Sequence, residues 1–203
     1  MTEKILILDF GSQYTQLIAR AVREANVYCE IAPYHHSIQF EPGLKGIILS
    51  GSPASVNDDK APQVDIASIN KKLPVLGICY GAQLTAQCFG GVVAKSNKRE
   101  YGRAQLRQQK QDFIFEGVDT HSQVWMSHSD SIKVLPAGYE MLADTESIPV
   151  AAFRKSSSSG FPLYGVQFHP EVYHSTQGKI FLKNFLTKVC GCKQDWTPAH
   201  FIT

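Results

Sequence analysis

Cys79 stands where a short apolar run is expected to turn into a helix, a position that suits a nucleophile. The run from Leu73 to Ile78 contains a proline near its start, and a helix-compatible segment follows over 82–89. Gly77 and Gly81 lie two residues to either side of the cysteine, so the two arms of a sharp turn can approach without a side-chain clash. This is the pattern of a nucleophile elbow, with cysteine in place of serine. The segment alone is equally compatible with a buried structural cysteine beside a glycine turn.

His169 and Glu171 could supply the base that such a thiol requires. They lie far along the chain, in the sequence Phe168-His169-Pro170-Glu171. A cysteine nucleophile needs a base held in one orientation, so that a proton can be taken up and returned. Pro170 disfavours helical geometry at His169, and in an extended segment the two side chains would lie on the same side. A surface histidine beside an unrelated glutamate is the alternative, but combined with the elbow the pattern favours catalysis.

Thiol attack on a carbonyl places negative charge on its oxygen, which backbone N–H groups usually stabilise. In elbow enzymes one donor is the residue after the nucleophile, here Tyr80. Gly51 is the candidate for the second donor, because it lies in a turn that can bring backbone close to a ligand. The thiol must also become a thiolate, since a cysteine with a pKa of about 8.5 is mostly protonated at neutral pH. A helix N-terminus and a protonated His169 would lower that pKa.

Apolar strand-like runs alternate with helix-like segments in the first half of the chain, which predicts a mostly parallel sheet flanked by helices. Strands are expected at 4–8, 27–31, 46–49 and 74–78, and helices at 14–24, 62–70 and 82–89. Open sheets of this kind bind ligands at the carboxyl ends of their strands. The turns at 9–12, 50–53 and 79–81 should therefore gather at one edge, which the His169 loop must also reach.

The second half is expected to add a smaller antiparallel β portion, because helical periodicity fades between Val92 and Ala152. Strand-like pieces are expected around 101–106, 123–126, 132–134, 140–142 and 150–153, with another apolar run at 162–166. A helix over 179–189 closes the unit. The sequence thus predicts one α/β domain over 1–189 and an irregular tail over 190–203.

Composition argues for an ordinary globular domain. The chain has 203 residues, 43% hydrophobic content and a net charge of +2, which makes no case for nucleic-acid or membrane binding. Its five cysteines are an odd number without a paired framework, and no apolar segment approaches the ~18 residues that span a bilayer. A reduced, cytoplasmic setting is expected. Cys190-Gly191-Cys192 lacks the usual spacing of a zinc site, so no metal is expected.

The elbow and the His-Pro-Glu pair together resemble the class I (triad) glutamine amidotransferases, whose fold is flavodoxin-like. The resemblance extends over essentially the whole chain. Four further stretches resemble one branch of this family, whose members release ammonia that aminates a purine nucleotide. These stretches are the opening Ile7-Leu8-Asp9-Phe10-Gly11-Ser12-Gln13-Tyr14, the segment from Ile48 to Val56, Trp125-Met126-Ser127-His128 and Trp196-Thr197-Pro198-Ala199.

This resemblance implies glutamine hydrolysis through a γ-glutamyl thioester. Cys79 would attack the side-chain amide, His169 would protonate the departing ammonia, and Glu171 would orient His169. The remaining substrate-binding residues that it implies are Gly51 and Ser52 of the oxyanion loop, Tyr80, Gln83, and Ser127, His128 and Asp130 of one loop.

A second domain is also implied, in which ATP activates the nucleotide that ammonia then attacks. No phosphate-binding loop is found here, since Gly90-Gly91-Val92-Val93-Ala94-Lys95-Ser96 lacks the glycine that precedes the lysine. We therefore expect ATP and Mg²⁺ to bind only in an ATP-pyrophosphatase (synthetase) domain outside this chain, and no cofactor within it. The tail from Cys190 resembles the start of the linker to that domain. A homodimer formed through the absent domain is compatible with this interpretation.

Two residues depart from the family pattern. Ser52 and Ser129 stand where the family commonly has glycine. A serine at a position that needs positive φ would cost about 1 kcal/mol or tilt a donor N–H group, and the oxyanion loop would be the more affected.

Two other functions remain open at this stage. One is a catalytically silent module that binds glutamine or a partner and regulates it. The other keeps the chemistry but serves a different synthetase, such as those for anthranilate, carbamoyl phosphate or CTP.

Overall fold

A nine-stranded sheet forms the centre of the part of the chain that the computed structural model describes, residues 2–156 and 159–201. The strands are β1 (Lys4–Asp9), β2 (Tyr28–Pro33), β3 (Leu44–Leu49), β4 (Val75–Ile78), β5 (Val92–Gln108), β6 (His121–Val134), β7 (Tyr139–Asp144), β8 (Ala152–Lys155) and β9 (Leu163–Val166). The helices are α1 (Thr15–Glu24), α2 (Ile66–Asn70), α3 (Tyr80–Cys88) and α4 (Gly178–Asn184). Short 3-10 turns occur at Phe113–Phe115 and Pro198–Phe201, and α4 continues as a π-helical turn, Phe185–Val189.

The sheet has a parallel part and an antiparallel part. Its strand order is β2-β1-β3-β4-β9-β8-β7-β5-β6, and the five strands from β2 to β9 run parallel. From β9 onward each neighbour is antiparallel. Every residue of the adjacent strands β4 and β9 is buried, as expected where helices cover both faces of a parallel sheet. The predicted α/β fold with a smaller antiparallel portion is confirmed.

Two apolar clusters pack on opposite faces of the parallel strands because successive side chains alternate between faces. Ile5, Ile7 and Ile78 contact one cluster with residues of α1 and α4, whereas Leu6, Leu8 and Val75 contact the other with residues of α2 and α3. This burial fixes the register of β1 and β4, and with it the carboxyl edge at which the turns meet.

Several element boundaries differ from the sequence-based prediction. The helix expected at 62–70 begins only at Ile66, because the Asp65 side chain accepts a hydrogen bond from the Ser68 N–H and caps it there. The pieces expected at 123–126 and 132–134 are one strand, β6, and the piece expected at 101–106 is part of the 17-residue β5. These two strands pair along most of their length, with one register shift between Val92 and Val93 and another between Lys95 and Glu100. Long pairing with a neighbour sustains strands through positions whose local pattern is polar.

The long β5–β6 hairpin contacts α3 and the loop that follows β3. The Gln83 Nε2 in α3 donates to the Asp130 carbonyl of β6 at 2.8 Å, and the Asn57 Nδ2 donates to the Val93 carbonyl of β5 at 3.1 Å. Through these contacts the hairpin forms a wall beside the start of α3.

The first residues of the tail pack on the domain. Cys190 and Cys192 are buried with the α4 cluster, and the Trp196 N–H donates to the Asn26 carbonyl at 3.0 Å. Within the described ranges, no helix has the length and apolar character needed to cross a membrane.

Candidate active site

Cys79 occupies a strained turn between β4 and α3. Its φ is +52° and its ψ is −104°, and within the described residues only Asn26 shares a positive φ among non-glycine residues. Such strain costs about 1–3 kcal/mol and persists only where the surroundings hold it. Here the Cys79 N–H donates to the Val166 carbonyl at 2.7 Å, and its carbonyl accepts from the Gln83 N–H at 3.0 Å. The sulfur is thereby held at the N-terminus of α3.

Gly77 and Gly81 are needed for this turn. A Cβ atom on Gly77 would lie 2.5 Å from the carbonyl of Gly81, and a Cβ atom on Gly81 would lie 2.5 Å from the carbonyl of Leu49. Both contacts are with backbone that cannot give way, so the close approach expected from the flanking glycines is present.

Replacing Gly81 by alanine should lower the free energy of unfolding by about 1–3 kcal/mol and displace the thiol. A shift of about 1 Å can cost about 10²-fold in turnover. Denaturant unfolding measures the first effect, and release of glutamate, the product that the family resemblance implies, measures the second. Gly90→Ala is the control: φ is +93° there but the space is open, so stability should fall while turnover per folded molecule holds. Equal turnover in the two variants would contradict this role of Gly81.

His169 and Glu171 form a buried pair close to the thiol. The His169 Nδ1 lies 2.8 Å from the Glu171 Oε1, and the two side chains are 3% and 0% exposed. The sequence suggested an extended segment here, but the segment forms a turn. The Val172 N–H donates to the His169 carbonyl at 3.3 Å and closes this turn, with Pro170 inside it. The turn still brings the two side chains together.

The electrostatic surroundings favour a protonated His169. Burial opposes the charge, but the carboxylate of Glu171 and, next, the negative charge of an ionised Cys79 sulfur hold the pKa of His169 well above its ordinary value. The thiol donates a long hydrogen bond, 3.8 Å, to the Ser127 carbonyl, whereas the His169 Nε2 makes no aligned hydrogen bond within the described residues. Proton transfer between them therefore requires the thiol hydrogen to turn from the Ser127 carbonyl toward the imidazole.

Gly51 and Tyr80 place backbone N–H groups at the same end of the sheet. Within the described residues, neither N–H is used in a hydrogen bond to another backbone group. The Tyr80 hydroxyl points elsewhere and donates to the Pro62 carbonyl at 2.6 Å. A Cβ atom on Gly51 would lie 3.3 Å from the His169 Cε1, so this residue lies against the imidazole. Both N–H groups remain available for a developing oxyanion.

Ser127, His128 and Asp130 belong to β6, which corrects the prediction of a loop. Pairing with β5, for example Ser127 opposite Tyr101, holds this stretch extended. Burial and the nearby charge of His169 lower the pKa of His128 to about 4, so its imidazole is neutral. The Asp130 carboxylate accepts a short hydrogen bond from the Ser55 hydroxyl, and its carbonyl accepts from Gln83. The strand thus presents a polar, rigid wall.

A cleft of about 470 Å³ contains most of the residues singled out from the sequence. It is lined by Gly51, Ser52, Cys79, Tyr80, Gln83, Ser127, His128, Asp130 and His169. Glu171 lies behind His169 rather than in the cleft. Ser129 and residues of the 9–12 and 50–53 turns also line it, so these turns meet at the carboxyl edge as the topology required.

Tyr14 and Tyr101 line the cleft as well, although no role was predicted for them from the sequence. The Tyr14 ring lies edge-on to His169, with ring centres 4.9 Å apart. Because Tyr14 belongs to the opening stretch that resembles the family, its place near the site could have been predicted from the sequence. Tyr101 is 63% exposed, and only its pairing with Ser127 brings it to the rim.

Neither serine that replaces a common glycine is strained. Ser52 and Ser129 both lie outside the positive-φ region. The Ser52 hydroxyl accepts from the Ala54 N–H at 3.2 Å, so it stabilises the turn that carries Gly51. The expected cost of these substitutions is therefore absent.

Among the described residues, no group of three His, Cys, Asp or Glu side chains is arranged to hold a metal ion.

Comparison with known proteins gives consistent results. Residues 6–189 match the family model of glutamine amidotransferase class-I. The glutamine-hydrolysing GMP synthases of Cytophaga hutchinsonii and Bacteroides thetaiotaomicron are 55% and 52% identical over all 203 residues. This chain spans 39% of the length of each of these relatives.

Solved structures show the same fold. A Thermoplasma acidophilum protein assigned as a GMP synthase subunit is 31% identical, with a TM-score of 0.82 over 94% of this chain and 95% of that one. A Thermotoga maritima glutamine amidotransferase is 18% identical, with a TM-score of 0.75 over 94% and 99% of the two chains. The second similarity concerns the fold alone.

Proposed function

This chain belongs to the class-I glutamine amidotransferase family, and from that premise we propose that it hydrolyses L-glutamine to glutamate and ammonia as the amidotransferase part of a GMP synthase. The observation that carries the chemistry is the convergence of Cys79, His169 and Glu171 beside one polar cleft. The identity of 52–55% with GMP synthases along the whole chain supports the choice of synthetase.

The proposed reaction begins with attack of the Cys79 Sγ on the side-chain carbonyl carbon of glutamine. The N–H groups of Gly51 and Tyr80 would stabilise the oxyanion, a contribution of about 10²–10³ in kcat per donor. The thiol proton passes to His169 and from there to the departing nitrogen, which leaves as ammonia while a γ-glutamyl thioester remains. Water then attacks the thioester with His169 as base, which releases glutamate and restores the thiol.

Binding and orientation fall to the other residues of the site. Glu171 would accept a hydrogen bond from the Nδ1–H of His169, which leaves Nε2 to exchange the proton with the thiol. Gln83, Ser127, His128 and Asp130, with Ser52 beside the oxyanion loop, would hold the amino-acid end of glutamine. None of these steps uses a metal or a cofactor from this chain.

The ammonia would serve a synthetase domain that lies outside this chain, in which ATP and Mg²⁺ activate XMP for amination to GMP. We place the amidotransferase domain at 1–189 and interpret 190–203 as the start of the connection to that domain. Its first residues pack against the domain through Cys192 and Trp196, which would set the direction in which the connection leaves. A cytoplasmic setting fits the unpaired cysteines.

Adding a GMP-forming ATP-pyrophosphatase domain, with ATP, Mg²⁺ and XMP, should raise glutamate release by roughly tenfold and yield GMP from glutamine. Glutamate and GMP are measured in the same reaction, with the synthetase domains for CTP and anthranilate as controls. Acceleration by one of these controls instead would assign the chain to a different synthetase. Glutamine binding without turnover in every mixture would favour a silent regulatory module.

A further inference from the structure

The loop that carries His169 is docked along β6 by several hydrogen bonds. The His169 N–H donates to the Trp125 carbonyl at 2.9 Å, and the Thr176 N–H donates to the Gln123 carbonyl at 3.1 Å. In the other direction, the Gln123 side chain donates to the His174 carbonyl at 2.7 Å. The position of the imidazole therefore depends on how this loop is seated on β6.

Ser175 closes the contact between His169 and Trp125. Its hydroxyl accepts from the Trp125 N–H at 2.9 Å and donates to the His169 carbonyl at 2.6 Å. The two residues are thus joined by one direct backbone hydrogen bond and by a second connection that passes through the serine hydroxyl. Ser175 is 5% exposed and does not line the cleft, so its role would be exercised through His169.

The same strand also faces the nucleophile. Two residues beyond Trp125, the carbonyl of Ser127 accepts the hydrogen bond from the Cys79 thiol. One rigid strand therefore carries the attachment of the base and a contact to the sulfur. Any shift of the His169 loop along β6 changes the separation of imidazole and thiol directly.

We propose that Ser175 is a positioning residue, whose hydroxyl fixes His169 on β6 at the distance from Cys79 that proton transfer requires. This inference rests on the proposed glutaminase function. Without the hydroxyl, the Trp125 N–H loses its acceptor and the His169 carbonyl keeps only the 3.3 Å contact from Val172. The imidazole would then sample positions away from the thiol.

Ser175→Ala should lower kcat for glutamate release by about 10- to 100-fold. It should leave KM within about twofold, because the Ser175 hydroxyl contacts none of the residues proposed to hold the amino-acid end of glutamine. Thr176→Ala is the matched control. It removes an exposed hydroxyl one residue further on, whose contact with the Gln123 carbonyl is 3.5 Å, and it should behave as wild type. Ser175→Thr keeps the hydroxyl and should restore turnover.

Alkylation of Cys79 by iodoacetamide at several pH values gives a readout that needs no glutamine. Near neutral pH the rate depends on the neighbouring imidazolium, so it should fall in Ser175→Ala and hold in Thr176→Ala. If the wild type released no glutamate but these alkylation differences were still observed, the proposed function would be refuted. The positioning role of Ser175 would still be supported.

Unchanged kcat and alkylation in folded Ser175→Ala would overturn the proposal, as would a loss that follows only the folded fraction. If the alanine variant does not fold, Ser175→Cys takes its place. Its thiol is a poorer hydrogen-bonding group of similar size, so kcat should again fall, and wild-type turnover would refute the positioning role.

Discussion

Cys79→Ala should lower glutamate release from glutamine by about 10⁴-fold or more, because the proposed thioester cannot form without the sulfur. Removal of a nucleophile eliminates the covalent route entirely, so residual activity would come only from binding and the oxyanion donors. The measurement is steady-state glutamate release, with glutamine affinity determined in parallel. Activity that persists in the alanine variant would refute the assignment of Cys79 as the nucleophile.

Cys88→Ala is the control, since this exposed cysteine ends the same helix and should not affect turnover. A glutamine-like electrophile followed by mass spectrometry tests the same point. Burial raises the pKa of the Cys29 thiol to about 11 and that of the Cys192 thiol to about 12, and it also raises the pKa values of Cys88 and Cys190. These four thiols are poor thiolates at neutral pH, so we expect an adduct on Cys79 alone.

The elbow could be predicted from sequence because its requirements are local. A buried strand, a helix start and two glycines within five residues leave few conformations, and the clash distances at Gly77 and Gly81 show why. The parallel strands of the first half were equally accessible, since apolar strand-like runs alternate there with helix-like segments. β9, four buried residues in the second half, was expected only as an apolar run. Because parallel strands align their carboxyl ends, the meeting of the turns followed from the topology.

The antiparallel half was harder because its contacts are distant along the chain. The stretch from Ser127 to Asp130 has the polar pattern of a break, yet pairing with β5 and contacts to Gln83 and Cys79 keep it in a strand. Tyr101 reaches the cleft only through that pairing. Ser175 has no motif of its own; its role depends on Trp125, fifty residues earlier. Such tertiary contacts leave no periodic signal.

Glu171→Gln should lower kcat by roughly 10²–10⁴-fold while the side chain keeps its size. The carboxylate lies 2.8 Å from the His169 Nδ1. In the proposed mechanism it would fix the orientation of the ring and stabilise the imidazolium that protonates the departing nitrogen. An amide supplies neither the charge nor a reliable acceptor in the required orientation. Glu116→Gln, at an exposed surface position, is the control and should leave turnover unchanged.

The pH dependence of the Glu171 variant separates charge from shape. Burial opposes protonation of His169, whereas the charge of Glu171 is the strongest influence that favours it. Removal of the Glu171 charge should therefore lower the pKa of His169. The alkaline limb of kcat should then move to lower pH.

The same shift affects stability. A His169 pKa that is raised in the folded state stabilises the protein fully below the unfolded value of about 6.5, and this stabilisation is lost as pH rises through the folded value. Glu171→Gln should therefore reduce unfolding free energy most below about pH 6.5, and the difference from wild type should narrow as pH rises. Parallel pH profiles in the two proteins, for both turnover and unfolding, would show that Glu171 acts by packing alone.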